Sequence, residues 1–348
     1  MDTGALRSTV PSSPGVYAGP DDSPDTYQLV ELIGSGGEAQ VWRAVTRPDP
    51  TSPAGVAVAV KVFSDDLAPA AAADWLRRAQ AMRHVHNPGL AVVHAAFIGA
   101  PMHSAGTAGT AGLTDAPCRY LVMELVNGPS LQEWLEDNPG AGLRERLRWL
   151  STLAAGLDAL HAGTGGVPPV AHGDVKPDNA RLTPDGGVKL VDFGLMRMLG
   201  TPRPGPPMAS VLYTAPEFFA AGPYATPTPE TDRFSFAVTA FQVLTGVMPP
   251  LRPDGCGPDP AAMLVALEQS PLTAGRPEVV TTVMAGLTPH PADRPARLVP
   301  WLAGARRTTS AALGPSQTGP TAPFPPSAAT ARIMPAAAAL RSQQPPTR

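Results

Sequence analysis

The stretch HGDVKPDN, His172 to Asn179, gathers two aspartates, a lysine, an asparagine and a histidine into eight positions, in a chain where only 16% of residues are charged. Glycine and proline interrupt it, so it reads as a loop rather than a helix or strand. Thirteen residues after Asn179 stands Asp192, in VDFGL. Carboxylate, amide and ammonium groups so concentrated are either a capped polar turn or the centre of a reaction.

The flanks decide between these. Upstream, LRERLRWLSTLAAGLDALHAG puts Leu143, Leu147, Leu150, Ala154, Leu157 and Leu160 on one face of a long helix. Before it, SLQEWLEDN is a short helix with Ser130 as cap and Glu133 three residues on. Downstream, residues 180–183 and 187–191 are short strands around DGG. Later, DRFSFAVTAFQVLTG is a strongly apolar helix, and further helices are expected to about Ala303.

Towards the N-terminus the period changes from helical to strand-like. YQLVELIGSGG and QVWRAV are two strands around a glycine turn, and VAVAVKVF, residues 56–63, is a third. Residues 70–85 are helical, with Trp75, Ala79 and Met82 on one face. GLAVVHAAFIG and RYLVMELV are two more strands, separated by a Gly/Ala/Thr loop over 99–117. Strands followed by helices predict an α+β fold in two lobes. A small β-rich N-lobe with one main helix spans 27–125, and a larger helical C-lobe spans 126–303. Residues 1–26, rich in Pro, Ser, Gly and Asp, and 304–348, rich in Pro, Ala, Ser and Thr, read as disordered extensions.

Composition narrows the function. A net charge of −3 over 348 residues does not suggest a nucleic-acid partner. No run of about 18 apolar residues offers a membrane span, and the N-terminus lacks the basic-then-apolar order of a signal peptide. Cys118 and Cys256 stand far apart and in no metal-ligand spacing. A reduced, cytoplasmic chain is the expectation. Of 26 lysines and arginines only three are lysine: Lys61, Lys176 and Lys189. Lysine is the exception here, so each one calls for a reason.

Taken in order, the glycine turn LIGSGGEAQVW, the lysine of VAVK, the loop HGDVKPDN, VDFGL and YTAPE resemble the signature set of bacterial eukaryotic-like serine/threonine protein kinases. The glycine turn alone reads equally as an ordinary hairpin; the ordered set does not. The resemblance covers about residues 27–303 and implies the two-lobed kinase fold with ATP and Mg²⁺, or alternatively Mn²⁺, as cofactors. It implies that Ile33, Gly34, Gly36 and Val41 cover the nucleotide, with Val41 and Ala59 above adenine and Lys61 on the α- and β-phosphates. Met123 would be the gatekeeper, and Glu124 to Val126 the hinge. Asp174 would orient the acceptor hydroxyl and take its proton, and Lys176 would steady the transferring phosphate. Asn179 and Asp192 would hold the metal. Glu217 would pair with Arg294, Asp232 would brace the catalytic loop, and Ser210 would contact Asp174.

The chain departs from the family pattern at several points. Ala39 stands for the third glycine of the turn, with Gly37 as an extra one. Gly173 replaces the arginine that pairs with a phosphorylated activation segment, so a phosphate on Thr201 would lack that partner. Arg78 falls where the helix glutamate should meet Lys61, and Asp74, one turn earlier, is the expected substitute. Arg181 stands where an apolar residue usually lies beneath adenine. The implied function is phosphoryl transfer from ATP to Ser or Thr of a protein substrate in bacterial-type signalling. The alternatives are a pseudokinase that binds without transfer and a small-molecule phosphotransferase. The retained Lys61 and Lys176 favour transfer, and the KP after Asp174 and the APE segment favour a protein substrate.

Overall fold

The computed structural model describes residues 15–36, 39–48, 52, 54–63, 68–108, 116–163, 169–192, 211–221 and 225–312. All five strands expected in the N-lobe form. They are β2 (Tyr27–Ser35), β3 (Ala39–Thr46), β4 (Ala57–Phe63), β5 (Val93–Gly99) and β7 (Cys118–Glu124). They lie antiparallel in the order β5-β7-β4-β3-β2. Strand β4 is apolar at every position but Lys61 because both its faces are covered. Val58, Val60 and Val62 enter an outer cluster with Leu29, Ala44, Phe97 and Tyr120. With a side-chain period of two, Ala59, Lys61 and Phe63 face the other way, and Phe63 joins the core shared with the helices.

The helix predicted over 70–85 is α1 (Pro69–Ala81), continued by a 3₁₀ turn over Met82–His84. Pro69 sits in its first turn, where no amide donor is needed. Trp75, Ala79 and Met82 are buried, and Trp75 packs edge-on against Phe63 at 5.4 Å between ring centres.

The N-terminal boundary of the sequence reading needs correction. Residues 16–26 are not a disordered lead-in. Strand β1 (Val16–Ala18) pairs with β2, and β6 (His103–Ser104), inside the loop expected over 99–117, pairs with β1. The sheet therefore has seven strands. Ala18 is fully buried, and the carboxylate of Asp25 bonds His103 Nε2 at 3.0 Å and the Gly106 amide at 3.0 Å. The Gly106 amide does most to hold the Asp25 carboxyl below its usual range. Periodicity could not reveal a strand of three residues, whose stability comes from its partners rather than its own pattern.

The C-lobe follows the predicted helices. Helix α2 (Leu131–Asp137) carries the full capping box: Glu133 N donates to Ser130 Oγ at 3.1 Å, and Ser130 N to Glu133 Oε2 at 2.7 Å. Helix α3 (Leu143–Ala162) buries all six residues of its predicted face. The hairpin of β8 (Ala180–Leu182) and β9 (Val188–Leu190) lies beneath the N-lobe, with Leu190 N bonded to Gly89 O at 2.8 Å. Beyond α4 (Pro216–Ala221), helix α5 (Pro229–Thr245) is buried almost all round, as its apolar sequence requires. Helices α6 (Pro260–Gln269) and α7 (Pro277–Gly286) follow. The last, α8 (Leu298–Ala312), moves the C-terminal boundary beyond 303, because Leu302 and Ala305 on successive turns are both buried.

Candidate active site

The loop HGDVKPDN is fixed from below by one buried carboxylate. Asp232, in the first turn of α5, accepts from the backbone amides of His172 at 2.6 Å and Gly173 at 2.9 Å, and also bonds His161 Nε2 at 2.9 Å. Gly173 has φ +82°, a left-handed turn that glycine takes without steric cost. His172 is buried, and its Nε2 meets Val191 O at 3.1 Å. Burial pushes the pKa of His172 down, against the opposing pull of Asp232, Asp174 and Asp192.

Above this base the polar groups converge. Lys176 Nζ donates to Asp174 Oδ2 at 2.8 Å. Asn179 Nδ2 donates to the same Oδ2 at 2.9 Å and to Asp174 O at 2.8 Å. With its amide nitrogen so committed, Asn179 turns its Oδ1 the other way, as an acceptor. Val191 N bonds Asn179 O at 2.7 Å and places Asp192 beside the loop. Asp192 has φ +60°, the only positive φ among described non-glycine residues. That conformation costs about 1–2 kcal/mol and aims the carboxylate at Lys61, with which it forms an ion pair.

Two expectations about Lys61 are overturned here. Arg78 does not oppose it. The Arg78 guanidinium is turned to Asp74 Oδ2 at 2.8 Å, four residues back on α1, and is half exposed. Asp74 does not substitute for the helix glutamate either, since its carboxylate is shared between Arg77 and Arg78. An aspartate at i and an arginine at i+4 meet along a helix surface, and that local pair is preferred to the longer reach towards β4.

A cleft lies between the lobes. Ile33, Gly34, Val41 and Ala59 line it from the sheet, and Met123, Glu124, Leu125 and Val126 line its back. Asn179 and Asp192 lie on its other side, together with Asp178, Arg181 and Val191. Gly36 bonds Ala39 O through its amide at 3.0 Å, with open space where a side chain would be. Ala39, in place of a third glycine, is buried as the first residue of β3. Gly37, Thr201 and Ser210 lie outside the described residues.

Several members of the site had no role in the sequence reading. Lys189 Nζ bonds both carboxylate oxygens of Glu124, at 2.7 and 2.6 Å, tying the end of β7 to β9. The scarcity of lysine was the available signal. Asp178 lines the cleft, and desolvation pushes its pKa up. Gly128 lies just beyond β7, and a Cβ there would lie 1.8 Å from Leu182 O. Further out, Glu217 and Arg294 meet as expected, in a two-pronged pair at 2.6 and 2.7 Å.

A strand lobe closed over a helical lobe, with Asp, Lys and Asn converging at the seam, defines the two-lobed kinase class. Residues 27–256 match the protein kinase domain, and the chain belongs to that family. Among curated relatives, serine/threonine-protein kinase PknA of Mycobacterium tuberculosis (strain ATCC 25618 / H37Rv) is 32% identical over 228 residues, 64% of this chain and 47% of the relative. Serine/threonine-protein kinase PknK of Mycobacterium bovis is 31% identical over 278 residues, 78% of this chain and 22% of the relative. The chain thus spans about half, or less, of the length of these relatives. A crystal structure of Rad53 residues 1–466 in complex with AMP-PNP has a TM-score of 0.57 at 20% identity, covering 80% of this chain and 66% of that one. It shares the fold.

Proposed function

We propose that the protein transfers the γ-phosphoryl group of ATP to serine or threonine hydroxyls of a protein substrate. The observation that carries this reading is the convergence of Lys61, Asp174, Lys176, Asn179 and Asp192 at one side of the interlobe cleft. Family membership and the serine/threonine kinases among its relatives support it.

The donor set fits a hard divalent cation. Asp192 offers a carboxylate and Asn179 an amide oxygen turned away from Asp174, and oxygen ligands of this kind suit Mg²⁺. When bound, Mg²⁺ (or Mn²⁺ in its place) neutralises charge on the phosphates. The chain's own residues supply the rest. Lys61 is held on the cleft side of β4 and is ready to hold phosphate oxygens. Asp174, with Oδ2 fixed by Lys176 and Asn179, is positioned to orient an acceptor hydroxyl and receive its proton. Lys176, beside that carboxylate, is placed to balance charge on the group in transfer. Gly34 and the strand around it exclude water from above. Hinge backbone over Glu124–Val126 would meet the base.

We place this activity in bacterial-type signalling in the cytoplasm, without a nucleic-acid or membrane partner. Cys118 and Cys256, far apart in the sequence and in no metal-ligand spacing, support a reducing compartment. Among described residues no helix is long and apolar enough to cross a membrane. The deciding experiment incubates the chain with radiolabelled ATP, Mg²⁺ and a generic basic acceptor protein. Transfer that vanishes in Asp174→Asn is expected. ATP binding with no transfer would instead identify a binding module.

A further inference from the structure

We propose that Arg181 is a nucleobase-binding residue, a planar cation laid against one face of the base in the interlobe cleft. The proposal rests on the reading of that cleft as a nucleotide site. Arg181 is the middle residue of β8, and its neighbours Ala180 and Leu182 are fully buried. The strand's period of two turns its side chain the other way, into the cleft opposite Val41 and Ala59. Among the described residues it is the only basic side chain in the wall of the cleft itself, with Lys61 and Lys176 standing beside that wall.

Its orientation is fixed. Arg181 Nη1 donates to Gly128 O at 2.9 Å, the one side-chain hydrogen bond it makes to a described residue. That carbonyl comes within reach because Gly128 has no side chain: its loop presses so close to β8 that a Cβ would overlap Leu182 O. Leu182 N to Pro129 O, at 3.0 Å, holds the same approach. One tethered nitrogen restricts the plane of the whole guanidinium.

The charge is not neutralised by the protein. Of the acidic side chains around the cleft, Glu124 pairs with Lys189, Asp192 with Lys61 and Asp174 with Lys176, while Asp178 lies in the field of Lys176 and forms no ion pair with Arg181. Arg181 forms no ion pair with a described residue. A part-buried cation without a counter-ion carries a desolvation cost, which an occupant can offset. The groups suited to phosphate are Lys61, Lys176, Asn179 and Asp192, on the catalytic-loop side. Arg181 is tied instead to the segment that follows the hinge, where an aromatic base between hinge and sheet would lie. Guanidinium stacks on aromatic faces, and ammonium does not reproduce that plane.

Calorimetric titration of the full chain with adenosine and with Mg²⁺-ATP tests this, for wild type, Arg181→Lys and Arg181→Met. Adenosine carries no phosphate, so it isolates the base. Both variants are expected to bind adenosine about three- to thirtyfold more weakly, with ATP weakened by the same factor. Wild-type affinity for adenosine in Arg181→Met would overturn the proposal, because the aliphatic stem would then suffice. Loss confined to ATP would overturn it too, assigning the cation to phosphate. In wild type, where no variant has to fold, NMR of ¹⁵N-arginine should move one guanidinium Nε–H resonance by ring current when adenosine is added. No such shift would equally overturn it. The function reading fails separately: wild type that binds adenosine but transfers no phosphate leaves this inference standing.

Discussion

Lys61 Nζ is paired with Asp192 Oδ1, joining β4 of the sheet to the end of β9 across the cleft, and no carboxylate of α1 meets it. The lysine is therefore held by the proposed metal ligand rather than by the helix. Lys61→Met and Asp192→Asn are each expected to lower transfer at least a hundredfold, about 2.7 kcal/mol of transition-state stabilisation. Asp74→Ala should stay within about twofold of wild type, since Asp74 serves only Arg77 and Arg78 on the surface. Radiolabelled transfer assays check all three, and a tenfold loss in Asp74→Ala would restore that residue as a partner of Lys61.

Thr201 falls in the segment after Asp192, and Gly173 offers no guanidinium to a phosphate there. Thr201→Ala should keep most of the wild-type transfer rate. An inactive Thr201→Ala would require another cation to read that phosphate.

Glu217 and Arg294 join α4 to the turn before α8. The Arg294 side chain is fully buried, and it also donates to Thr288 O, Glu230 O and Pro289 O. Glu217→Ala leaves that charge without its counter-ion. The carbonyls remain and Glu217 is partly exposed, so a loss of about 2–3 kcal/mol is expected, below the full value for a buried pair. Urea denaturation measures it, and a loss under about 0.5 kcal/mol would mean the carbonyls alone suffice.

His172 has its pKa lowered by burial, so the folded protein resists protonating it. Below the ordinary histidine value of 6.5 the unfolded chain binds a proton that the folded one refuses. Stability contributed by the neutral ring is thus present above pH 6.5 and lost as pH falls through it. The expected slope approaches about 1.4 kcal/mol per pH unit. His172→Gln should flatten that part of the profile between wild type and variant, although Asp178 keeps its own contribution. Parallel profiles would remove His172 as the source.

Shortening the chain to 27–303 removes β1 and cuts α8 between Leu302 and Ala305. The melting temperature should fall, by about 2–4 °C for each kcal/mol lost in a domain of this size, while a chain of 15–312 should melt as the full chain does. Differential scanning calorimetry separates these outcomes. Equal melting of both would show that β1 and the last turns of α8 add nothing.

Long periodic segments were legible because their pattern reports a buried face directly: α3, with its six apolar positions, and β4, apolar but for Lys61, stand where the sequence put them. The polar cluster was legible too, because charge is scarce and lysine scarcer. What escaped was set by contacts between distant segments. Strand β1 has three residues and acquires its partners from Tyr27 and His103. The surroundings of Lys61 turned on where the Asp74 carboxylate would go, which helical spacing leaves open between a cation on its own helix and one on the sheet. Gly128 looked like any loop glycine until Leu182 came within contact of it.

The strand β6 that closes one rim of the seven-stranded sheet is only two residues long, and its neighbour β1 only three. An open rim of unpaired amides and carbonyls invites another chain to add a strand, and very short rim strands are a way of refusing it. Past Leu29, where β1 ends its pairing, β2 continues towards the glycine turn with register shifts at Leu29/Glu31 and Leu32/Gly34. Such irregularities twist a strand out of the plane a foreign strand would need. The His103–Asp25 clasp thus has a second effect. By holding β1 and β6 in place, it leaves this flank of the N-lobe a poor template for aggregation, although Val30 and Leu32 stand exposed beside it.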